Sequence, residues 1–474
     1  MVCLRLGLVI VAFAAGPQWS HAGEWPQFRG AAAGVSTESS APLKWSMDDH
    51  IAWKVQVPGV AWSSPIVWGD RVFLATAVSD KQTRPRPFNM GGGGGPEGGR
   101  NRPPGKEGGG PPGKEGGPPG KPLGGRGGMG GGKPPDAVYR WEVHCLDRTT
   151  GKTLWSKVAA ERKPTYPIHP TNTYASETPV TDGERVYAYF GMTGVFCYDF
   201  NGTLVWQKEL GSFPLANGFG AGSSPTLHEG RLFVQCDNEE KSFLVALKAE
   251  TGEELWRVER PSKTSWGTPY IWRNRVRTEL VALGSDKVRS YDPATGKLLW
   301  ELGGTDSSFT ASPAGDADIL CFGTSGPMSV GPLWGVKAGA SGDITLAKGE
   351  KANEFVAWYR TRSGPGMSSP LIHDGLLYII ARSAVYCFDV KTGEPVYEPK
   401  RLPGARGVTA APLLVAGKLY IVDEDGQTFI VQAGREFKIL GQNKLEDGMF
   451  WSSPAMVSGQ LLIRGTEHLF SIRD

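Results

Sequence analysis

One carboxylate stands where the rest of the chain keeps small residues. Glu177 precedes Thr178-Pro179, at a position that elsewhere reads Ser63-Ser64-Pro65, Gly267-Thr268-Pro269 or Ser452-Ser453-Pro454. Three chemistries are open to it. It could ligate calcium together with the amide oxygens of Asn172 or Asn217. It could act as a general base if burial raised its pKa. It could simply accept a hydrogen bond from a neighbouring loop amide. Other residues just upstream of the same phrase include Trp62, Tyr174, Phe219, Trp266, Phe309, Met367, Arg406, Phe450 and Trp451. Such a mixture of aromatic, amide and charged groups suits a planar or sugar-like ligand. His169, in the Pro-flanked loop Tyr166-Pro167-Ile168-His169-Pro170, reads as a solvated histidine. Asp423-Glu424-Asp425-Gly426 lacks the alternating spacing and distant Glu of a calcium loop and reads as a tight acidic turn. No CxxC, CxxCH or HExxH occurs, so zinc and c-type haem chemistry lack a motif.

The elements that position these residues repeat. The small-Ser/Thr-Pro phrase occurs eight times, with its prolines at 65, 179, 225, 269, 313, 370, 412 and 454. A period near forty-four residues without helical patterning predicts an all-β, eight-bladed propeller of four-stranded antiparallel blades. After Pro454 only three strand-like runs remain, whereas residues 51–57 form an unpartnered run before the first phrase. Pairing them completes blade eight and removes the exposed sheet edges. Seven blades with an appended hairpin is the alternative reading.

The turn between third and fourth strands carries a second repeat. Cys145-Leu146-Asp147 leads through Thr150-Gly151 to Trp155, and Ser290-Tyr291-Asp292 through Thr295-Gly296 to Trp300. Related versions end at Trp206, Trp256 and Tyr397, while blades five and seven are degenerate. This phrase resembles the tryptophan-docking motif of the pyrroloquinoline-quinone (PQQ)-like repeat family. There the Trp packs one blade on the next, its ring burying apolar area while its N–H finds a carbonyl. The resemblance implies a funnel at which the loops before each phrase converge. In the quinone-dependent dehydrogenases of this family such loops hold PQQ and calcium. Carried over, it makes Trp62, Asn172, Tyr174, Glu177, Asn217, Trp266, Arg406 and Trp451 candidate funnel lining, with Glu177 and Asn172 as candidate calcium ligands and Glu177 as candidate catalytic residue. The chain departs from that pattern, because no two of its cysteines are adjacent to form the vicinal disulfide of those enzymes. It also resembles the propeller lipoprotein of the outer-membrane assembly machine, a binding scaffold, but lacks that protein's lipidation cysteine. The stretch Trp25-Pro26-Gln27-Phe28-Arg29-Gly30 is similar to the mature start of exported planctomycete-type repeat proteins.

Residues 1–22 read as a cleavable signal peptide, with Arg5, a short apolar run and Ser20-His21-Ala22. The expected mature domain is a single propeller over 23–474, periplasmic or secreted, monomeric and without a transmembrane segment. Residues 81–136 interrupt blade one with Gly, Pro and Lys and too few apolar groups to offset ordering entropy, so disorder is expected. Topology puts this insertion over the funnel face. Ten Lys or Arg against three Glu in 81–135 make it the source of the overall charge of +3, so the folded part is mildly acidic and nucleic acid is not an expected partner. Cys145, Cys197 and Cys387 share one repeat position, too far apart to bridge, and read as buried thiols. Together these readings give an exported propeller that binds a protein or glycan through its funnel face. The alternative is a PQQ- and calcium-dependent dehydrogenase of an alcohol or sugar.

Overall fold

The computed structural model describes residues 24–86, 132–305, 308–325 and 330–474. The residues read as a signal peptide and most of the insertion, including its expected disorder, lie outside these. Eight antiparallel sheets of four strands form the described chain, the fourth of them with one added short strand. Numbered from the first repeat, blade 1 comprises Ile66–Trp68, Arg71–Val78, Tyr139–Asp147 and Thr153–Arg162. Blade 3, with Thr226–His228, Arg231–Cys236, Phe243–Lys248 and Glu254–Glu259, follows the four runs read from its sequence. Burial grades outward: in blade 3 the third strand is buried up to its last residue, while the fourth alternates exposed and half-buried positions. Blade 5 lost its Thr-Gly turn to a longer connection. That connection reaches back to blade 4, where Gly342–Asp343 pairs parallel with Leu298–Leu302.

The circle closes as the sequence predicts. Ile51–Gln56 pairs antiparallel with His468–Ile472, setting Trp53 opposite Ser471 and Val55 opposite Leu469. Blade 8 therefore contains Ala455–Val457, Gln460–Arg464, His468–Ile472 and the amino-terminal strand. The seven-blade alternative is excluded.

Both repeated phrases acquire physical roles. The Ser or Thr before seven of the eight prolines forms a hydroxyl belt around the axis. Ser64 N–H donates to Thr178 Oγ1, Thr178 N–H to Ser224 Oγ, Ser224 N–H to Thr268 Oγ1 and Thr268 N–H to Ser312 Oγ, all at 2.9–3.1 Å. Ser312 continues to Ser369, Ala411 to Ser453, and Ser453 back to Ser64. One link is missing, because blade 7 offers Ala411 instead of a hydroxyl to Ser369. The tryptophans dock on the next blade. Trp53, Trp155, Trp206, Trp256 and Trp358 each donate Nε1–H to a carbonyl of the neighbouring turn, respectively of Arg148, Phe200, Ala249, Pro293 and Val390. Each ring covers that turn's glycine: a Cβ on Gly151 would meet Trp53 at 2.7 Å, and one on Gly393 would meet Trp358 at 2.5 Å. Glycine is needed there twice over, for contact and for φ of +72° and +69°. The motif Asp closes the turn from within, as Asp147 Oδ1 accepts from Thr150 N and Oγ1, both at 2.7 Å. Trp300 has no such turn to meet on blade 5 and donates instead to buried Glu279 at 2.6 Å.

The segment before the first strand has no repeat signature, and its path was not legible. It crosses the central channel. Trp25 exchanges backbone hydrogen bonds with Val67 of blade 1, Thr181 N–H of blade 2 donates to Pro26 O, and Leu414 of blade 7 bonds Gly34 and Ser36. Midway, Arg29 donates to the carbonyls of Pro313 and Pro370, which begin blades 5 and 6.

Candidate funnel-face site

The loops before each first strand and those between second and third strands share one face of the propeller. The described ends of the insertion belong to it, since Arg86 N–H donates to Pro170 O and Arg84 pairs with Glu467. The candidates on this face form an arc of contacts from blade 7 round to blade 4. Arg406, its side chain 73% exposed, pairs with Asp425 at 3.2 Å. Glu424 accepts from the Thr409 hydroxyl at 2.7 Å, and that hydroxyl also lies against the sulfur of exposed Met367. Burial raises the Glu424 carboxyl, with Thr409 and the Trp451 indole acting the other way. Trp451 lies 5.4 Å from Trp62, ring to ring, at a 31° tilt. Trp62 donates its indole N–H to Thr171 O at 2.9 Å, joining the arc to the 169–177 loop.

That loop is internally saturated. Asn172 spends both faces of its amide: Nδ2 donates to Phe219 O and Ala221 O, and Oδ1 accepts from Thr173 N and Ser176 Oγ. Tyr174 is buried and packed against Tyr139 and Trp141 in the blade core, its hydroxyl on Tyr166 O. His169 is 7% exposed, bonded to Thr171 Oγ1 at 2.8 Å and close to the Phe219 ring, and burial lowers its pKa. The solvated-histidine reading fails because the loop folds back on the blade 2–3 connection. Glu177 is 2% exposed and its Oε1 accepts from Gly191 N at 2.9 Å. Desolvation raises its pKa to about 7, opposed by backbone donors. Asn217 is exposed on a single 3-10 turn with φ of 51°, and Phe309 is fully buried.

The arc ends at a small cleft between the loops of blades 2, 3 and 4, lined by Tyr189, Phe213, Trp266, Gln235 and Asp237. Trp266 holds Gly220 O through its indole N–H at 2.7 Å. Asp237 is fully buried and paired with Arg260 at 2.9 Å, and Gln235 Nε2 donates to it at 2.8 Å. Sequence reasoning missed Gln235, Asp237 and Arg260, and read Glu424 only as part of an acidic turn. The available signal for Gln235 was a polar residue in the otherwise apolar inner positions of Arg231–Cys236. Asp423 behaves as the acidic turn expected, its Oδ1 accepting from Asp425 N and Gln427 N. Among the described residues one trio, Asp447, Glu467 and His468, brings potential metal-ligand atoms within 4.8 Å of one another. These groups are engaged: His468 Nδ1 bonds Asp447 Oδ1 at 2.6 Å, and Asp447 Oδ2 accepts two backbone amides.

The five described cysteines are buried and free, as read from the repeat. No described helix is long and apolar enough to cross a membrane.

Blade number, the docked tryptophans and the turn motif define a PQQ-like repeat β-propeller. The family described as outer membrane protein assembly factor BamB matches residues 140–396 and 284–433, more than half of the sequence, and the chain belongs to that family. Among solved structures it is similar to a europium-containing methanol dehydrogenase, at 10% identity and TM-score 0.56, covering 94% of this chain and 90% of that one. It is similar also to the quinohemoprotein alcohol dehydrogenase of Comamonas testosteroni, at 11% identity and TM-score 0.55, covering 95% and 80%. At such identities the likeness is one of fold. BamB from Moraxella catarrhalis aligns at 15% identity with a TM-score of 0.37, covering 71% and 81%. No curated protein matches the sequence.

Proposed function

We propose that this chain is an exported propeller that acts as a binding or scaffold protein, taking a protein or glycan partner on its funnel face. The observation that carries the reading is the saturation of the 169–177 loop. Calcium in a quinone site needs several oxygen donors free to turn to it. The Asn172 oxygen is held by Thr173 N and Ser176 Oγ, and Glu177 is shut beneath the surface on Gly191 N. Tyr174 and Phe309 are packed into blades. The five described thiols are separate and buried, so none can supply a vicinal disulfide. The residues present do not fit PQQ with calcium. What the face offers outward is a partner surface: Met367 at 41% exposure, Arg406, Asn217, and half-buried Phe219, Trp266 and Trp451. Half-exposed aromatics with charged neighbours are the usual composition of a recognition surface. Export to the periplasm agrees with the assembly-factor family and with the amino-terminal sequence.

The test is site-specific photo-cross-linking in cells that export the protein. A cross-linker at Met367 or Arg406 is expected to give discrete adducts. One at Glu398, on the outer strand of blade 6, is expected to give none. Adducts at Glu398 alone would overturn the assignment of the binding face.

A further inference from the structure

A second concavity lies inside the ring, between the crossing amino-terminal segment and the first strands of blades 3 and 4. It runs from Thr268 and Pro269 to Arg273, the last residue of the blade 4 first strand, and so reaches the face opposite the funnel loops. Arg29 lines it and is 4% exposed. Its terminal nitrogens are taken by carbonyls: Nη1 by Pro313 O at 2.8 Å, Nη2 by Ala33 O at 2.9 Å and Pro370 O at 2.5 Å. Its Nε–H is buried without a partner. Among the described residues no carboxylate comes within ion-pair distance of it. Burial pushes the guanidinium down to about 10, with only Tyr270 acting against this. Carbonyl dipoles satisfy donors but do not neutralise a charge, and a buried cation without a counter-charge is costly. A second guanidinium, that of exposed Arg273, stands at the cavity's outer end, touching His228 Nδ1 at 3.3 Å. The nearest acidic groups are turned elsewhere: Glu229 faces the other His228 nitrogen, and Asp316 caps the amides of Asp318 and Ile319.

We propose that this cavity binds a small oxyanion, a carboxylate, phosphate or sulfate group, between the free Nε–H of Arg29 and the guanidinium of Arg273. Both groups have the planar donor geometry that matches such oxygens. The anion supplies the counter-charge that Arg29 lacks and ties the amino-terminal segment to blade 4. This site is separate from the funnel face and stands or falls independently of it.

The experiment titrates the purified full chain with phosphate, sulfate and acetate against chloride at matched ionic strength, by calorimetry and, for phosphate, by ³¹P line broadening. Saturable binding of at least one oxyanion is expected, with no saturation by chloride. Arg273→Ala is expected to weaken it about tenfold or more, as loss of a charged hydrogen bond does, while leaving the melting temperature in chloride unchanged. Arg29→Lys, which removes Nε–H and keeps the charge, is expected to weaken it too. If that variant does not fold, Arg273→Ala and Arg273→Lys carry the test. Oxyanions indistinguishable from chloride, or equal affinity in Arg273→Ala, would overturn the proposal. The ranking of the three anions names the oxyanion class.

Discussion

The amide of Ser453 donates to the hydroxyl of Ser64 at 2.9 Å across 389 residues of chain. This bond joins blade 8 to blade 1 in the same way that Thr178 and Ser224 join blades 2 and 3. The ends of the chain are thus held by the same contact as its middle, and ring closure becomes a matter of repeated chemistry.

Because the belt lacks one hydroxyl, Ala411→Ser is expected to raise stability by about 1 kcal/mol, the usual net worth of one intramolecular hydrogen bond. Urea unfolding should show a higher midpoint with an unchanged slope. Ser64→Ala, which removes the acceptor for Ser453, should lower it by a similar amount.

Trp53 bridges the amino-terminal strand to the Gly151 turn. Trp53→Ala is expected to cost about 3–5 kcal/mol, as large aromatic deletions do. Gly151→Ala should also destabilise, since a Cβ meets the Trp53 ring at 2.7 Å and φ is +72°. Substitution at Gly230, where nothing lies within 4 Å of a Cβ, should cost only the backbone strain of its φ of +69°. Comparing the three melting temperatures separates ring contact from backbone strain.

Glu177 gives a pH dependence of definite sign. Its folded pKa, raised by burial to about 7 from 4.5, exceeds its unfolded value. The folded state therefore binds the proton more tightly. The associated stability is fully present below about pH 4.5 and is lost as pH rises through 7, to a total of about 3 kcal/mol. Glu177→Gln removes this term. The variant should be more stable than the parent at pH 8, and the gap should close towards pH 5.

Burial raises the thiols of Cys145 and Cys197 to about 12 and those of Cys236 and Cys387 to about 11, with Cys321 raised as well. A thiol-specific reagent at pH 8 should leave all five unmodified in the native protein and label them on unfolding. Reductant should not change the melting temperature.

Features that recur along the chain were legible in its sequence. The Trp–Gly docking could be read because the turn motif recurs, although Trp300, read as a docking residue, bonds Glu279 instead, and closure could be read because three strands at one end lacked the fourth found at the other. Single-copy contacts were not legible. Arg29 reaches carbonyls 284 and 341 residues away, which no local pattern encodes. Asn172 looked like a free oxygen donor, but its Oδ1 accepts from Thr173 N and Ser176 Oγ, while its Nδ2 is anchored on the carbonyls of Phe219 and Ala221, in a loop 47 to 49 residues distant. Glu177 was recognised as out of place; its carboxylate accepts the loop amide of Gly191, and burial raises its pKa.

The functional reading depends on the funnel's oxygen donors being committed inward, and cofactor titration tests that most directly. Purified protein is titrated with PQQ in excess calcium, and dye reduction is followed with a panel of alcohols and sugars. The account predicts no saturable binding at micromolar cofactor and no turnover. Saturable binding, with turnover that Glu177→Ala abolishes, would contradict it.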